Sequence, residues 1–314
     1  MRRKPIILWL AFFLLFGCFA FSTPANAVDL YVRCGDHKAK LKTITDALRF
    51  VLPRVATTIH VTGTCTENLT INDADHLTLL GDPSATLNDA SGGNDPVIGI
   101  GSSGQVTVQN FVIVGGGQGF GCGPFSRCDF INVVVRGAAF ASNYGNGSRG
   151  WLQTTTIEGV TGGQGLQVRG ANVVFDPDVV IQNNASHGLL IRFGGIVTAV
   201  TATIQGNAGS GVSVQENSVF RTNPGGGSLT ITSNQGHGVD VQGGSVAYLG
   251  YGTNISGNAG NGVRLLDLSF AKFDSGASVT AVPGSWKVYC QTQNTATRGV
   301  ANVATYPSET NCVE

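Results

Sequence analysis

From Ile181 onward, apolar and polar positions alternate in short runs that recur at a nearly constant interval. Four segments align: IQNNASHGLLIR (181–192), IQGNAGSGVSVQ (204–215), ITSNQGHGVDVQ (231–242) and ISGNAGNGVRLL (255–266). They share Ile-x-x-Asn-x-x-x-Gly-apolar-x-apolar, and a degraded fifth copy surrounds Gly165. The repeat glycines Gly165, Gly188, Gly211, Gly238 and Gly262 are 23, 23, 27 and 24 residues apart. The long interval contains Asn223-Pro-Gly-Gly-Gly227, a loop insertion.

Period-two alternation in short runs predicts half-buried strands. One residue past each glycine stand Leu166, Leu189, Val212, Val239 and Val263, and three past stand Val168, Ile191, Val214, Val241 and Leu265. Eight past stand Val173, Ile196, Val219, Val246 and Phe270, a third expected ladder. A unit this small cannot bury its own apolar side, whereas stacked copies turn each ladder into one wall of a continuous core. A propeller blade needs about 40 residues, so the spacing selects an all-β, single-stranded parallel β-helix. The chirality of L-residues favours the right-handed coil. Stacking then aligns Asn184, Asn207, Asn234 and Asn258, whose amides can hydrogen-bond along the column. Glycine at the next corner is expected to supply a positive φ.

Thr43-Ile-Thr-Asp-Ala-Leu48 starts a helix running to Phe50, and strands follow in Thr58–Ile71 and His76–Gly81. With the Asn-x-x-x-Gly-Val-x-Val coil, this opening resembles secreted bacterial right-handed parallel β-helix proteins of the pectate-lyase-like superfamily. The resemblance covers roughly residues 30–282. It implies a helix capping the first coil, and it leaves activity open because fold does not imply function. In the middle, 105–108, 111–114 and 131–135 read as strands, while 119–127 and 141–149 read as Gly-rich loops. From Trp286 the repeat is lost. The chain divides into 1–27, a β-helix with its N-terminal cap over 28–282, and a capping tail over 283–314.

Residues 1–27 read as a secretory signal: a basic start, an apolar run from Ile6 to Phe21, and Ala25-Asn-Ala27 as the cleavage pattern. A lipoprotein signal ending at Cys18 is the rival reading. Location is then secreted, periplasmic or extracellular in a bacterial envelope, with no membrane span after signal removal. Without Arg2, Arg3 and Lys4 the chain carries 16 basic and 19 acidic residues, a net of −3. No basic face appears, which argues against nucleic acid. Six cysteines remain after Cys18, an even number suited to disulfides in an exported chain. Placement favours Cys34 with Cys65, Cys122 with Cys128, and Cys290 with Cys312.

Chemistry is harder to find. Polygalacturonases, pectin methylesterases and pectate lyases all resemble the coil, yet the chain lacks Asn-Thr-Asp, an adjacent Asp pair and Arg-Ile-Lys. Cys128-Asp-Phe-Ile-Asn132 matches only the start of the esterase motif Asp-Phe-Ile-Phe-Gly. No cofactor or metal motif is present, and calcium would enter only in a lyase reading. On the strand after each repeat glycine, even offsets point outward. That column pairs Asp240 with Arg264, an exposed cross-strand pair worth under ~1 kcal/mol. Glu216 and Asp267 stand two coils apart, about 9–10 Å by the coil spacing, with Gly243 between them. In an enzyme, Glu216, Asp240, Arg264 and Asp267 would be the catalytic set of a polysaccharide hydrolase or lyase acting on acidic glycans. In a binding protein, Arg169, Arg192, Gln215, Gln242 and Tyr248 would meet a polysaccharide or cell-surface glycan, arginine forks suiting carboxylates. His237 shares its slot with His187, Ser210 and Asn261, which marks a corner of the coil. The favoured reading is a carbohydrate-associated binding or structural surface protein.

Overall fold

The computed structural model describes residues 27–223, 226–291, 300–301, 310 and 312. Apart from Ala27, the segment read as a signal lies outside them, Cys18 included. Among the described residues the strands form two parallel ladders, one of eighteen strands and one of ten. The ten-strand ladder takes one strand per coil, from Leu69–Asn72 through Leu189–Arg192 and Val239–Val241 to Val288–Cys290. The chain is therefore an all-β parallel solenoid. Its ladder continues past residue 282, because Val288–Cys290 pairs in register with Val263–Leu265.

Two of the three expected apolar ladders face inward. Leu166, Leu189, Val212, Val239 and Val263 are fully buried, as are Val168, Ile191, Val214, Val241 and Leu265. Each such side chain contributes ~1.5–3 kcal/mol by leaving water. The third ladder is corrected. Ile196, Val219, Val246 and Phe270 pair with one another, but Val173 pairs with Val197, and the inward wall is Val173, Val197, Phe220, Ala247 and Ala271. The turn between the two strands explains the slip. Phe193–Gly194, Glu216–Asn217, Gly243–Gly244 and Asp267–Leu268 are successive left-handed residues, while the first copy has only Gly170 and is one residue shorter. Alternation does not carry across such a turn.

The asparagine column forms as expected. Asn184, Asn207 and Asn234 each donate Nδ2 to the next Oδ1 at 2.9 Å and backbone N–H to the same oxygen at 3.1 Å. The repeat glycines, however, do not have positive φ. The left-handed residues are those just before each asparagine, Asn183, Gly206, Ser233 and Gly257. Glycine is needed for space: a Cβ at Gly188 would meet Asn207 Nδ2 at 2.7 Å, Ile204 Cγ2 at 2.6 Å and the Gly211 carbonyl at 2.8 Å.

Three disulfides join Cys34–Cys65, Cys122–Cys128 and Cys290–Cys312. A strand absent from the sequence reading, Val28–Arg33, pairs with Thr57–Thr66. The helix is Ile44–Leu48, with Ile44 and Ala47 buried. Glu67 holds its first turn, accepting from the backbone N–H of Ile44 at 2.7 Å and of Thr45 at 2.9 Å. The supposed loops 119–127 and 141–149 contain strands Gln118–Cys122 and Ser142–Gly145 of the second sheet. Their outward glycines erase the alternation that marks a strand. Inside these coils Phe120 stacks on Phe130, and Tyr144 donates to the Cys128 carbonyl at 2.8 Å. Burial pushes that phenol well above its ordinary pKa.

Candidate functional site

The outward column of the second sheet runs, in register, through Thr70, Gly99, Gly121, Asn143, Gln167, Leu190, Ser213, Asp240, Arg264 and Tyr289. Asp240 lies between the core residues Val239 and Val241, so the pleat turns it outward. It is nevertheless only 3% exposed. The Arg264 guanidinium grips both carboxylate oxygens, Nε to Oδ1 at 2.8 Å and Nη2 to Oδ2 at 2.6 Å. The hydrogen bond to Asp240 raises the Arg264 pKa. This is a partly buried two-point pair, in place of the exposed pair expected from sequence.

His187 and His237 stand close enough to interact with Asp240 and Arg264. Each belongs to a column at the corner before the strand. His187 Nδ1 accepts the Ser210 N–H at 3.0 Å, Ser210 Oγ accepts the His237 N–H at 3.2 Å, and His237 Nδ1 accepts the Asn261 N–H at 2.9 Å. Asn261 Oδ1 in turn accepts the Trp286 N–H at 2.8 Å. Histidine, serine and asparagine share this slot because it needs a hydrogen-bond acceptor. The bond assigns the neutral tautomer with its proton on Nε2. Burial lowers both histidine pKa values, with Arg264 acting in the same direction and Asp240 against it. Neither imidazole has a free basic nitrogen for catalysis in this state.

The other predicted residues are placed as follows. Glu216 and Asp267 are exposed, and both lie in left-handed turns that stack through the turn containing Gly243, with Asn217 N–H donating to the Gly243 carbonyl and Gly244 N–H to the Asp267 carbonyl, both at 2.9 Å. Arg169 and Arg192 lie 4.7 and 4.9 Å from the Phe193 ring centre, an arrangement of cation–π type. With its amide oxygen turned to Arg192, Gln167 accepts two bonds at 2.6 and 2.7 Å. Gln215 donates to Ser213 Oγ at 2.9 Å, and Gln242 stands beside it in the same column. Tyr248 is separated from this group, because its strand Val246–Leu249 belongs to the first sheet.

Further toward the N-terminus the same face opens into a trough of about 360 Å³, lined by Thr70, Asn72, Asn143 and Asn146 over glycine backbone. The floor glycines Gly99 and Gly145 have no positive φ, and a Cβ would meet nothing nearer than 3.6 Å and 3.5 Å respectively. The fold therefore does not require glycine at either position. Asn143 Oδ1 is enclosed and has no hydrogen-bond partner. Asn143 and Asn146 lie in a stretch that reads from sequence as a Gly-rich loop, whereas Thr70 lies in an expected strand that carries no motif of a site. Among the described residues, one group has metal-ligand spacing: Cys34, Cys65 and Glu67. Its sulfurs form a disulfide and its carboxylate holds the helix, so it does not fit an ion.

No protein-family model and no curated protein matches the chain. Among solved structures it is similar to the crystal structure of pectate lyase Pel9A, at a TM-score of 0.48 and 14% identity over 82% of this chain and 78% of that one.

Proposed function

We propose that this chain is an exported, right-handed parallel β-helix that binds carbohydrate along the outward face of its second sheet. The observation that carries the reading is the trough, where Gly99 and Gly145 leave the floor bare although a Cβ would fit at both. It leads in register from Asn143 to Gln167 and Leu190 and from Gly145 to Arg169 and Arg192. A linear glycan can lie there along the solenoid axis, its hydroxyls meeting Asn72, Asn143 and Asn146 and its acidic groups the two arginines. Around Asp240 the ionic groups are already satisfied by one another, which favours binding over catalysis.

Export suits the three disulfides. Among the described residues no helix is long and apolar enough to cross a membrane. The helix Ile44–Leu48 serves as a cover for strand edges that would otherwise invite aggregation, and Cys312 is tied to Cys290 in the last strand of the ten-strand ladder.

The test is a screen of the purified chain against acidic and neutral polysaccharides, reading binding and product release together. Gly99→Val should abolish binding while leaving the melting temperature unchanged. Binding that survives Gly99→Val removes the trough as the site. Product release lost in Asp240→Asn would replace binding by catalysis.

A further inference from the structure

The first sheet carries a separate cavity of about 390 Å³, lined by Arg127, Asp129, Arg149, Trp151, Asn172 and Val174. Arg127, Arg149 and Asn172 are in register on three adjacent strands, and so are Asp129, Trp151 and Val174. Residues two apart on a strand share a face, so the two rows lie side by side.

Two features of this cavity are costly to the fold. Like charges directly opposite on neighbouring strands repel, and Arg127 and Arg149 are directly opposite. Asp129 answers one of them, accepting from Arg127 Nε at 3.0 Å and from Gln105 Nε2 at 3.3 Å, both at Oδ2. Asp129 is 4% exposed, and its other oxygen, Oδ1, is enclosed without a hydrogen-bond partner. The Trp151 N–H lies near the carboxylate, but no hydrogen bond of acceptable geometry reaches Oδ1. An enclosed acceptor left without a donor costs ~1–3 kcal/mol. Beside it Trp151 remains 37% exposed, a large apolar surface open to solvent.

One ligand relieves the repulsion and covers the indole. It needs an anion for the guanidiniums and an apolar ring face for the indole. A planar carboxylate is satisfied by a single arginine fork. Two guanidiniums borne on adjacent strands, whose backbones lie about 4.8 Å apart, converge better on a tetrahedral group with three terminal oxygens. We propose that this cavity binds a pyranose carrying a tetrahedral oxyanion ester, a sulfate or a phosphate. The ester contacts Arg127 and Arg149, and the sugar face packs on Trp151. The proposal does not depend on the trough, since it uses a different sheet and a different ligand charge.

The experiment uses the whole chain and one polymer backbone in four forms: dextran, carboxymethyl dextran, dextran sulfate and phosphorylated dextran. Binding is read by affinity electrophoresis and by tryptophan fluorescence. Dextran sulfate, phosphorylated dextran or both should bind, and which of them does identifies the ester. Arg149→Gln should weaken that binding by roughly tenfold or more, the loss of a charge-assisted bond, and Trp151→Ala by about as much through loss of the ring contact. Lys272→Gln, which removes an equal charge elsewhere on the same sheet, and Gly99→Val should leave it unchanged. Arg149→Gln also removes a repulsion, so its melting temperature should not fall, which separates lost binding from lost folding. Equal binding of carboxymethyl or neutral dextran overturns the proposal. So does binding of no form, or a loss in Lys272→Gln as large as in Arg149→Gln.

Discussion

Replacing Arg264 by glutamine tests whether the Asp240 pair belongs to the solenoid's framework. Asp240 retains 4% of its side-chain exposure and Arg264 retains 31%. Removing one partner of a fully buried pair costs ~3–5 kcal/mol, because a charge is left buried without an answer. Arg264 is partly solvated, so the expected cost here is about 2–4 kcal/mol, still above the ~1 kcal/mol of an exposed pair. In a domain of this size that lowers the melting temperature by roughly 3–8 °C. The assay is a double-mutant cycle of wild type, Arg264→Gln, Asp240→Asn and the double variant, each followed by thermal and urea unfolding at neutral pH. Asp240→Asn alone should cost less than Arg264→Gln, because Arg264 can turn to water. The double variant should recover much of the loss, giving a coupling of about 1.5–3 kcal/mol. A cost below about 1 kcal/mol for Arg264→Gln, with no coupling, would show a screened surface pair. The claim that this face is closed by its own charges would then fall.

Asn207→Ala removes the acceptor for two donors of Asn184. Its expected cost is about 2–4 kcal/mol at ~1–3 kcal/mol per enclosed group, read by chemical denaturation. Gly188→Ala should destabilise by about 1–3 kcal/mol through overpacking, whereas Gly145→Ala should be neutral or slightly stabilising; the two melting temperatures decide. His187 and His237 are held below the ordinary value of 6.5. The neutral forms are thus favoured by folding, and their contribution is full above pH 6.5 and declines as pH falls through the lower folded values. His237→Asn keeps the acceptor that Asn261 supplies in the same column, so it should flatten that acid limb. An unchanged stability–pH profile between wild type and His237→Asn would contradict the placement.

Much of the architecture was legible in the chain itself. The Ile-x-x-Asn-x-x-x-Gly repeat determines the strands after each glycine, the two inner ladders and the asparagine column. In a solenoid each residue packs on its own counterpart one coil away, so a sequence alignment of the repeats is already a contact map. Cysteine placement carried the three disulfides for a related reason, since each pair stands at adjoining parts of the stack. Tertiary structure decided whatever depends on turns and on neighbours from other coils. The tight left-handed turns shifted the third ladder from Ile196 to Val197. Close packing, and not a positive φ, explains the repeat glycines. Tyr248 proved to lie on a different sheet from Arg192. Asp240 is enclosed, with Arg264 from the next coil gripping both its oxygens. The trough and the Trp151 cavity were invisible for a simpler reason. Their coils carry glycine or unmatched residues at outward positions, so the alternation that announces a strand is absent, and only the hydrogen-bonded register brings Arg127 against Arg149 and Asn143 into line with Gln167.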